Sequence, residues 1–282
     1  MTGLLERIER YYDAVPRRFA RVEECGPFTL FLGEPGGWVY YARPRLGFTN
    51  GIGGSGGSGG FDAVDVAAAT GRLRELGLPE VVEWVDETTP DLRGAVQDEG
   101  SLTVQELPLM VLDDDTGSAH APSELPPDVR VRLLGPADGA AVAAGRAVSE
   151  LGFGSAGTSR GEPGPRERDA RLRPVQQRVL ALIAEGAVRM AVAESDAEGV
   201  LAVGRTLPID GVTEVMGVAT LPSKRRAGLG SAVTRALTGD ARALDVDTVF
   251  LTASSPEVAR IYSGVGFRRV ATAFSAEGQD QP

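Results

Sequence analysis

The chain has 282 residues, of which 24% are charged, with a net charge of −10, one cysteine and one histidine. That length suits two domains of ordinary size, and one cysteine excludes an intrachain disulfide. His120 stands alone in a Ser/Pro/Ala stretch, which excludes histidine-based triads and histidine metal clusters, and no apolar run approaches the roughly 18 residues of a membrane span.

Glu6 falls within the first seven residues and no apolar core follows, so no signal peptide is expected and a cytoplasmic home is. Residues 4–19 carry the period of an amphipathic helix. Residues 28–32 and 38–42 read as a hairpin across Glu34-Pro35-Gly36-Gly37. The tract 51–60 is glycine and serine with one isoleucine; this is a flexible-linker composition, without the Lys-Ser/Thr of a phosphate loop. Residues 62–76 predict a helix with Val64, Ala67, Leu73 and Leu76 near one face. A strand at 80–85 carrying Trp84, a helix at 89–98 with Pro90 in its first turn, and a strand at 102–112 follow. Residues 113–127 hold four acids, a glycine and three prolines and read as a boundary. The expected organisation is a domain over 1–115, a linker over 116–127 and a second domain over 128–282.

The second half predicts a strand at 129–134, a helix at 137–151 and a mobile Gly/Pro/Ser/Arg/Glu loop at 154–168. An amphipathic run at 171–185 uses Val175, Val179, Leu182 and Ile183, and strands follow at 188–194, 200–207 and 212–221. Asp210-Gly211 makes a tight hairpin turn between the last two. A helix at 228–244, a strand at 248–252, a helix at 256–265 and a strand at 267–274 complete a mixed α/β layer.

Charge is unevenly distributed: residues 1–127 sum to −11 and residues 128–282 to +1. An acidic half argues against nucleic acid and favours a cationic partner, solubility being the plainer reading. Cys25 reads as a small buried hydrophobe. Lys224, the only lysine, reads as a surface charge.

The segment Arg225-Arg226-Ala227-Gly228-Leu229-Gly230 lies between a predicted strand and a predicted helix. Such a junction forms an anion cradle: backbone N–H groups point one way, the helix dipole adds positive potential, and glycine lets a phosphate approach without meeting a Cβ. Thirty residues on stands Ser255-Pro256-Glu257-Val258-Ala259-Arg260-Ile261-Tyr262-Ser263-Gly264-Val265-Gly266-Phe267.

On these two blocks, residues 128–275 resemble the GNAT superfamily of acetyl-CoA-dependent N-acetyltransferases. Arg225, Gly228 and Gly230 match its Arg/Gln-x-x-Gly-x-Gly/Ala signature, and Ile261-Tyr262 through Gly266-Phe267 match its Leu-Tyr-x-x-x-Gly-Phe block. Ser255 stands where the family usually has Asn, and Val258 where it often has Ala. The resemblance implies an α/β (α+β) fold with a mixed central sheet of acyl-CoA N-acyltransferase type in the C-terminal half. It implies acetyl-CoA, or another acyl-CoA, as co-substrate and direct attack by a primary amine; with one histidine and one cysteine in the chain, no metal is expected.

Carried over, Val218, Ala219 and Thr220 would meet the pantetheine arm, and Arg225, Arg226, Ala227, Gly228, Leu229, Gly230 and Ser231 the pyrophosphate, with Ser255 also at the cofactor. Tyr262 would be the general acid, with a pKa matched to a thiolate, and Glu214 the general base, direct or through water. The acceptor is a small-molecule or peptide amine, of cationic character if Glu162, Glu167 and Asp169 meet it, a solvated charge run being the plainer reading of that segment; the acidic first half argues against nucleic acid, and without a long apolar run no membrane is expected.

The first half also resembles this fold. Its helix 62–76, strand 80–85, helix 89–98 and strand 102–112 repeat the end of the second half, and Gly100 falls near where Gly266 does, but no Arg-x-x-Gly-x-Gly is present. A tandem with one competent site and a degenerate N-terminal domain follows; an unrelated α/β lid is the alternative. Two further readings of function stay open: an acyl-CoA-binding regulatory module without turnover, and an interaction protein docking a basic partner on the acidic half.

Overall fold

A computed structural model describes residues 2–33, 40–48, 60–113 and 124–278. The turn at 34–37, the glycine–serine tract up to residue 59, His120 and most of the 113–127 boundary lie outside the described residues. Among the described residues no helix is long and apolar enough to cross a membrane. The chain forms two compact units, one of Met1–Leu109, Thr252–Pro256 and Arg269–Pro282, the other of Met110–Leu251 and Glu257–Arg268.

In the first unit, α1 (Thr2–Ala14) stops earlier than the periodicity predicts, because Pro16 has no amide to continue the ladder and opens a short 3₁₀ turn instead. The chain then enters β1 (Ala20–Cys25), a strand the sequence pattern concealed. Its acids are held by ion pairs, half-buried Glu23 with Arg72 at 2.7 Å and exposed Glu24 with Arg45 at 2.6 Å. Charge of this kind suits a strand paired on one side only, where it discourages further pairing. β1 pairs antiparallel with β2 (Phe28–Gly33), and β2 with β3 (Tyr40–Pro44). β3 meets β4 (Val81–Val85) in parallel at the single pair Ala42↔Val82.

Helices α2 (Ala63–Glu75) and α3 (Asp91–Glu99) cover one face of these strands. α2 buries Val66, Ala69, Thr70 and Leu73, and its C-cap Leu76 packs against the core; Leu73 and Leu76 lie where the periodicity expects them, whereas Val64, 75% exposed, and Ala67, also exposed, do not. Phe28, Leu30, Ala42, Val82, Leu92 and Val96 join them in a core in which Trp84 stacks on Phe274 at 5.0 Å. Cys25 is half-buried, and burial pushes its thiol above the ordinary range, as a packing role requires.

β5 (Leu102–Leu112) follows α3 through Gly100, whose φ of 82° ends the helix in the left-handed conformation. The last strand, β11 (Phe267–Gly278), groups with the first unit from Arg269 onward, because Ala273–Glu277 pairs antiparallel with β4. A division by chain position places it with the second half; its hydrogen bonds place it otherwise.

The second unit arranges its strands in the order β10 (Thr248–Thr252), β9 (Val212–Thr220), β8 (Gly199–Thr206), β7 (Arg189–Ser195), β6 (Val129–Leu133). All neighbours are antiparallel except β9 and β10, and the sheet is therefore mixed. Asp210 and Gly211 turn the β8–β9 connection with φ of 48° and 74°, the two left-handed residues that a primed hairpin turn needs.

Helix α4 (Gly139–Phe153) packs one face of β8, so closely that a Cβ on Gly145 would come within 2.9 Å of Val203. α7 (Leu229–Ala243) packs the other face, where a Cβ on Gly204 would lie 3.0 Å from both Val233 and Leu237. α7 buries Leu229, Val233, Leu237 and Ala241 at four-residue spacing, and its Asp240 holds Arg189 of β7 at 2.5 Å.

The remaining helices are shorter than sequence predicts or unexpected. α6 (Gln177–Ala184) begins late because Pro174 biases its neighbours away from helix. The segment expected as a mobile loop contains α5 (Pro165–Asp169). There Arg168, only 5% exposed, donates to the carbonyls of Glu198 and Val200, both at 2.6 Å. α8 (Pro256–Ser263) leads into β11.

Candidate functional site

β9 changes character along its length. Beside β10 the parallel ladder registers Val212↔Thr248, Thr213↔Val249 and Glu214↔Phe250, and β9 then continues to Thr220. On its other side Val203↔Ala219 and Arg205↔Met216 are paired, which leaves Gly217 and Val218 both opposite Gly204. This is a β-bulge, made possible by Gly217 at φ 62°. Arg205 covers it, its guanidinium carbon 3.4 Å from where a Cβ would stand on Gly217. Among the described residues, 215–220 are registered on the β8 side alone, so main-chain groups on the far side can receive an extended ligand as an added strand.

The open strand leads directly into the turn that sequence singles out. Pro222–Lys224 forms a 3₁₀ turn, Arg225 is extended, and Arg226 takes φ 62°, unusual for a residue with a Cβ. Gly228 at φ 73° is the N-cap of α7 and contributes no side-chain cap. The first helical bond is donated by Ala232 to Gly228, so the amides of Leu229, Gly230 and Ser231 are the orphan donors of the first turn.

No acid stands in that turn. Left-handed residues at 226 and 228 beside these amides make a concavity of N–H groups at the positive end of the helix dipole. Packing inside the protein does not demand glycine at 230, since a Cβ there would meet Thr220 and Val218 at ordinary distances of 3.5 and 3.7 Å. What glycine leaves at 230 is open backbone for an anion. The residues present therefore fit a pyrophosphate.

A second segment is stitched to this turn. Gly161 donates its amide to Pro222, and Ser223 donates to Pro163, each at 3.1 Å. Arg160 donates to the Arg225 carbonyl. Arg225 turns its guanidinium away from the cradle, toward the carbonyls of Gly152 at 2.8 Å, Ser155 at 2.9 Å, Ala156 at 3.3 Å and Ser159 at 3.4 Å. A side chain expected on phosphate is thus engaged elsewhere.

Arg226 is exposed. It donates to the Thr158 carbonyl at 3.0 Å, to the Thr158 hydroxyl at 2.6 Å and to Glu257 at 3.1 Å. The Thr158 hydroxyl and the Arg226 charge hold the Glu257 carboxyl below the usual range. Lys224 pairs with Glu198 at 2.6 Å.

Tyr262 lies in α8, half-buried, with its ring edge-on to Phe267 at 6.0 Å. Burial pushes its phenol up to about 12, and among the described residues its hydroxyl makes no hydrogen bond. Glu214 sits at the last β9–β10 rung, where the strand opens. Ser255 directly precedes α8. Among the described residues no group of three His, Cys, Asp or Glu could hold a metal.

Sequence reasoning overlooked Gly217, although an isolated glycine inside a strand pattern is a bulge signal. It also overlooked Thr158 and Glu257, for which no sequence signal exists, because their partner Arg226 lies 68 and 31 residues away.

No protein-family model matches the sequence, and no curated protein matches it. Solved structures do. A GCN5-related N-acetyltransferase from Kribbella flavida is similar at 21% identity, with a TM-score of 0.64, over 98% of this chain and 96% of that one. A GCN5-related N-acetyltransferase from Sphaerobacter thermophilus is similar at 16% identity and TM-score 0.51, over 75% of this chain and 64% of that one. A tandem GNAT protein from the clavulanic acid biosynthesis pathway, in a structure without AcCoA, is similar at 14% identity and TM-score 0.51, over 90% and 79% respectively. The chain thus has the GNAT fold, as the two sequence blocks led one to expect.

Proposed function

We propose that the protein transfers an acetyl or short acyl group from an acyl-CoA to a primary amine. One observation carries the reading: the half-open strand β9 ends in a turn with left-handed residues at Arg226 and Gly228, and the α7 amides beyond it have no side-chain cap. The amides of Arg226, Ala227, Gly228, Leu229, Gly230 and Ser231 would hold the pyrophosphate, and Val218, Ala219 and Thr220 would offer main-chain groups to the pantetheine arm. When bound, the cofactor supplies an activated thioester. An N–H of the 217–220 segment is suited to donate to the thioester carbonyl as charge develops there.

Glu214 is assigned to accept the proton that the ammonium must lose, directly or through water. Tyr262 is assigned to the departing sulfur, with one revision. At about 12 its phenol is a weaker acid than a thiol of roughly 8.5–10. It therefore supports the thiolate by donating a hydrogen bond rather than by matching its pKa, and it stays protonated across the physiological range. In the tandem arrangement the second unit works and the first is retained for architecture.

The test is thiol release from acetyl-CoA against a panel of amines, from polyamines and aminoglycosides to lysine peptides, with wild type beside Tyr262→Phe. Turnover that falls in the variant supports the assignment. Equal rates reject Tyr262, and tight coenzyme A binding without turnover on any amine favours a regulatory binding module.

A further inference from the structure

We infer that Arg225 is a positioning residue: it clamps the wall formed by residues 152–163 against β9 and takes no part in gripping an anion. The inference rests on the function proposed above and assigns that site's division of labour. A guanidinium offers its donors in a rigid planar fork, and charge-assisted bonds to carbonyls are its strong contacts. Arg225 directs its two terminal nitrogens at four carbonyls, those of Gly152 in the last turn of α4 and of Ser155, Ala156 and Ser159 beyond it. This is the negative end of the α4 dipole, where a cation belongs. Reaching a phosphate would require breaking the bonds at 2.8 and 2.9 Å, so the side chain is occupied in both charge and direction.

What the clamp holds is close to the open strand. A Cβ on Gly152 would come 3.0 Å from the Ala219 Cβ and 3.3 Å from the Thr220 carbonyl. α4 therefore ends against the β9 segment beside which the thioester would lie, and Phe153, 66% exposed, is the next residue. On the proposed function this wall borders the thioester carbonyl, and its position would set how an amine approaches there. Arg226 has the complementary place. It is exposed, and its contacts with Thr158 and Glu257 lie at the surface, where they can be exchanged for phosphate oxygens. Two adjacent arginines thus divide between wall and anion.

The experiment compares wild type with Arg225→Gln and Arg225→Lys in the full chain, with circular dichroism and melting curves to confirm folding. Coenzyme A affinity, read by calorimetry, is expected to stay within about threefold of wild type in both variants. For the amine turned over best by wild type, KM is expected to rise about tenfold or more in both variants while KM for acetyl-CoA stays unchanged. Amide exchange at 155–161, measured without ligand, is expected to accelerate in both.

Lysine should fail to rescue, because one ammonium cannot replace a fork bonded to four carbonyls, whereas a phosphate contact would tolerate it. The inference is overturned if Arg225→Gln weakens coenzyme A about tenfold or more and Arg225→Lys restores it, or if exchange at 155–161 is unchanged. Should wild type bind no coenzyme A, the proposed function falls, while the exchange measurement still decides whether Arg225 clamps the wall.

Discussion

Helices α2 and α7, one in each unit, start in opposite ways. α2 is capped by Asp62, whose carboxylate accepts the amides of Val64 and Asp65, both at 2.9 Å. Asp65 in turn accepts the Asp62 amide, completing a capping box. The helix carries its own anion, with a second acid in its first turn. α7 is capped by Gly228, with no side-chain oxygen and no acid. Its orphan amides remain available at the end of a strand that is open on one side. The same element of secondary structure is thus closed to an external anion in one unit and open to it in the other, and one residue at the N-cap makes most of the difference.

Transplanting the cap of α2 onto α7 should be the most disruptive change. Gly228→Asp imposes φ 73° on a residue with a Cβ and sets a carboxylate where phosphate would sit. Like-charge juxtaposition costs several kcal/mol, so coenzyme A affinity should fall about 10³-fold, with the fold retained by circular dichroism. Unchanged affinity, read by calorimetry, would place the anion elsewhere. Next in size, Tyr262→Phe should lower kcat for thiol release about 10²-fold while leaving coenzyme A affinity unaltered, because the phenol acts after binding.

The converse change is smaller. Asp62→Ala removes the α2 cap and should cost about 1 kcal/mol of stability in denaturant melts, with no effect on coenzyme A binding. A binding change there would mean that the first unit is not closed.

The smallest expected effect is a pH dependence. Because Tyr262 is raised to about 12, folded and unfolded chains both keep this phenol protonated below about pH 10, and it contributes no slope there. Between about 10 and 12 the unfolded chain ionises first, so stability should fall with rising pH, less steeply in Tyr262→Phe. The rate of thiol release should likewise show no limb from this group below about pH 10, and a limb near 8 that vanishes in Tyr262→Phe would contradict its burial.

Local chemistry was legible in the sequence, and distant chemistry was not. The 225–230 turn, β9, α7 and the Ile261–Phe267 block follow from glycine placement and hydrophobic period, because their conformations are decided within a few residues. β1 was hidden because Arg21, Glu23 and Glu24 give a half-buried strand the look of a solvated segment. Residues 154–168 have a loop composition, yet Arg225, Arg160 and Arg168 tie this segment and the chain just before it into hydrogen bonds spanning 30 to 73 residues. A guanidinium can serve a phosphate or a set of carbonyls equally well, and only three-dimensional neighbours choose. The same limit concealed the roles of Thr158 and Glu257.

Hydrogen exchange on the full chain with and without coenzyme A, resolved to single amides, alongside the binding stoichiometry, tests most directly whether the α7 N-terminus holds the pyrophosphate. One coenzyme A per chain, with protection concentrated at the amides of 226–231 and along 217–220 and none at 63–66, is the expected result. Two molecules per chain, or protection at the start of α2 with none at the start of α7, would contradict it.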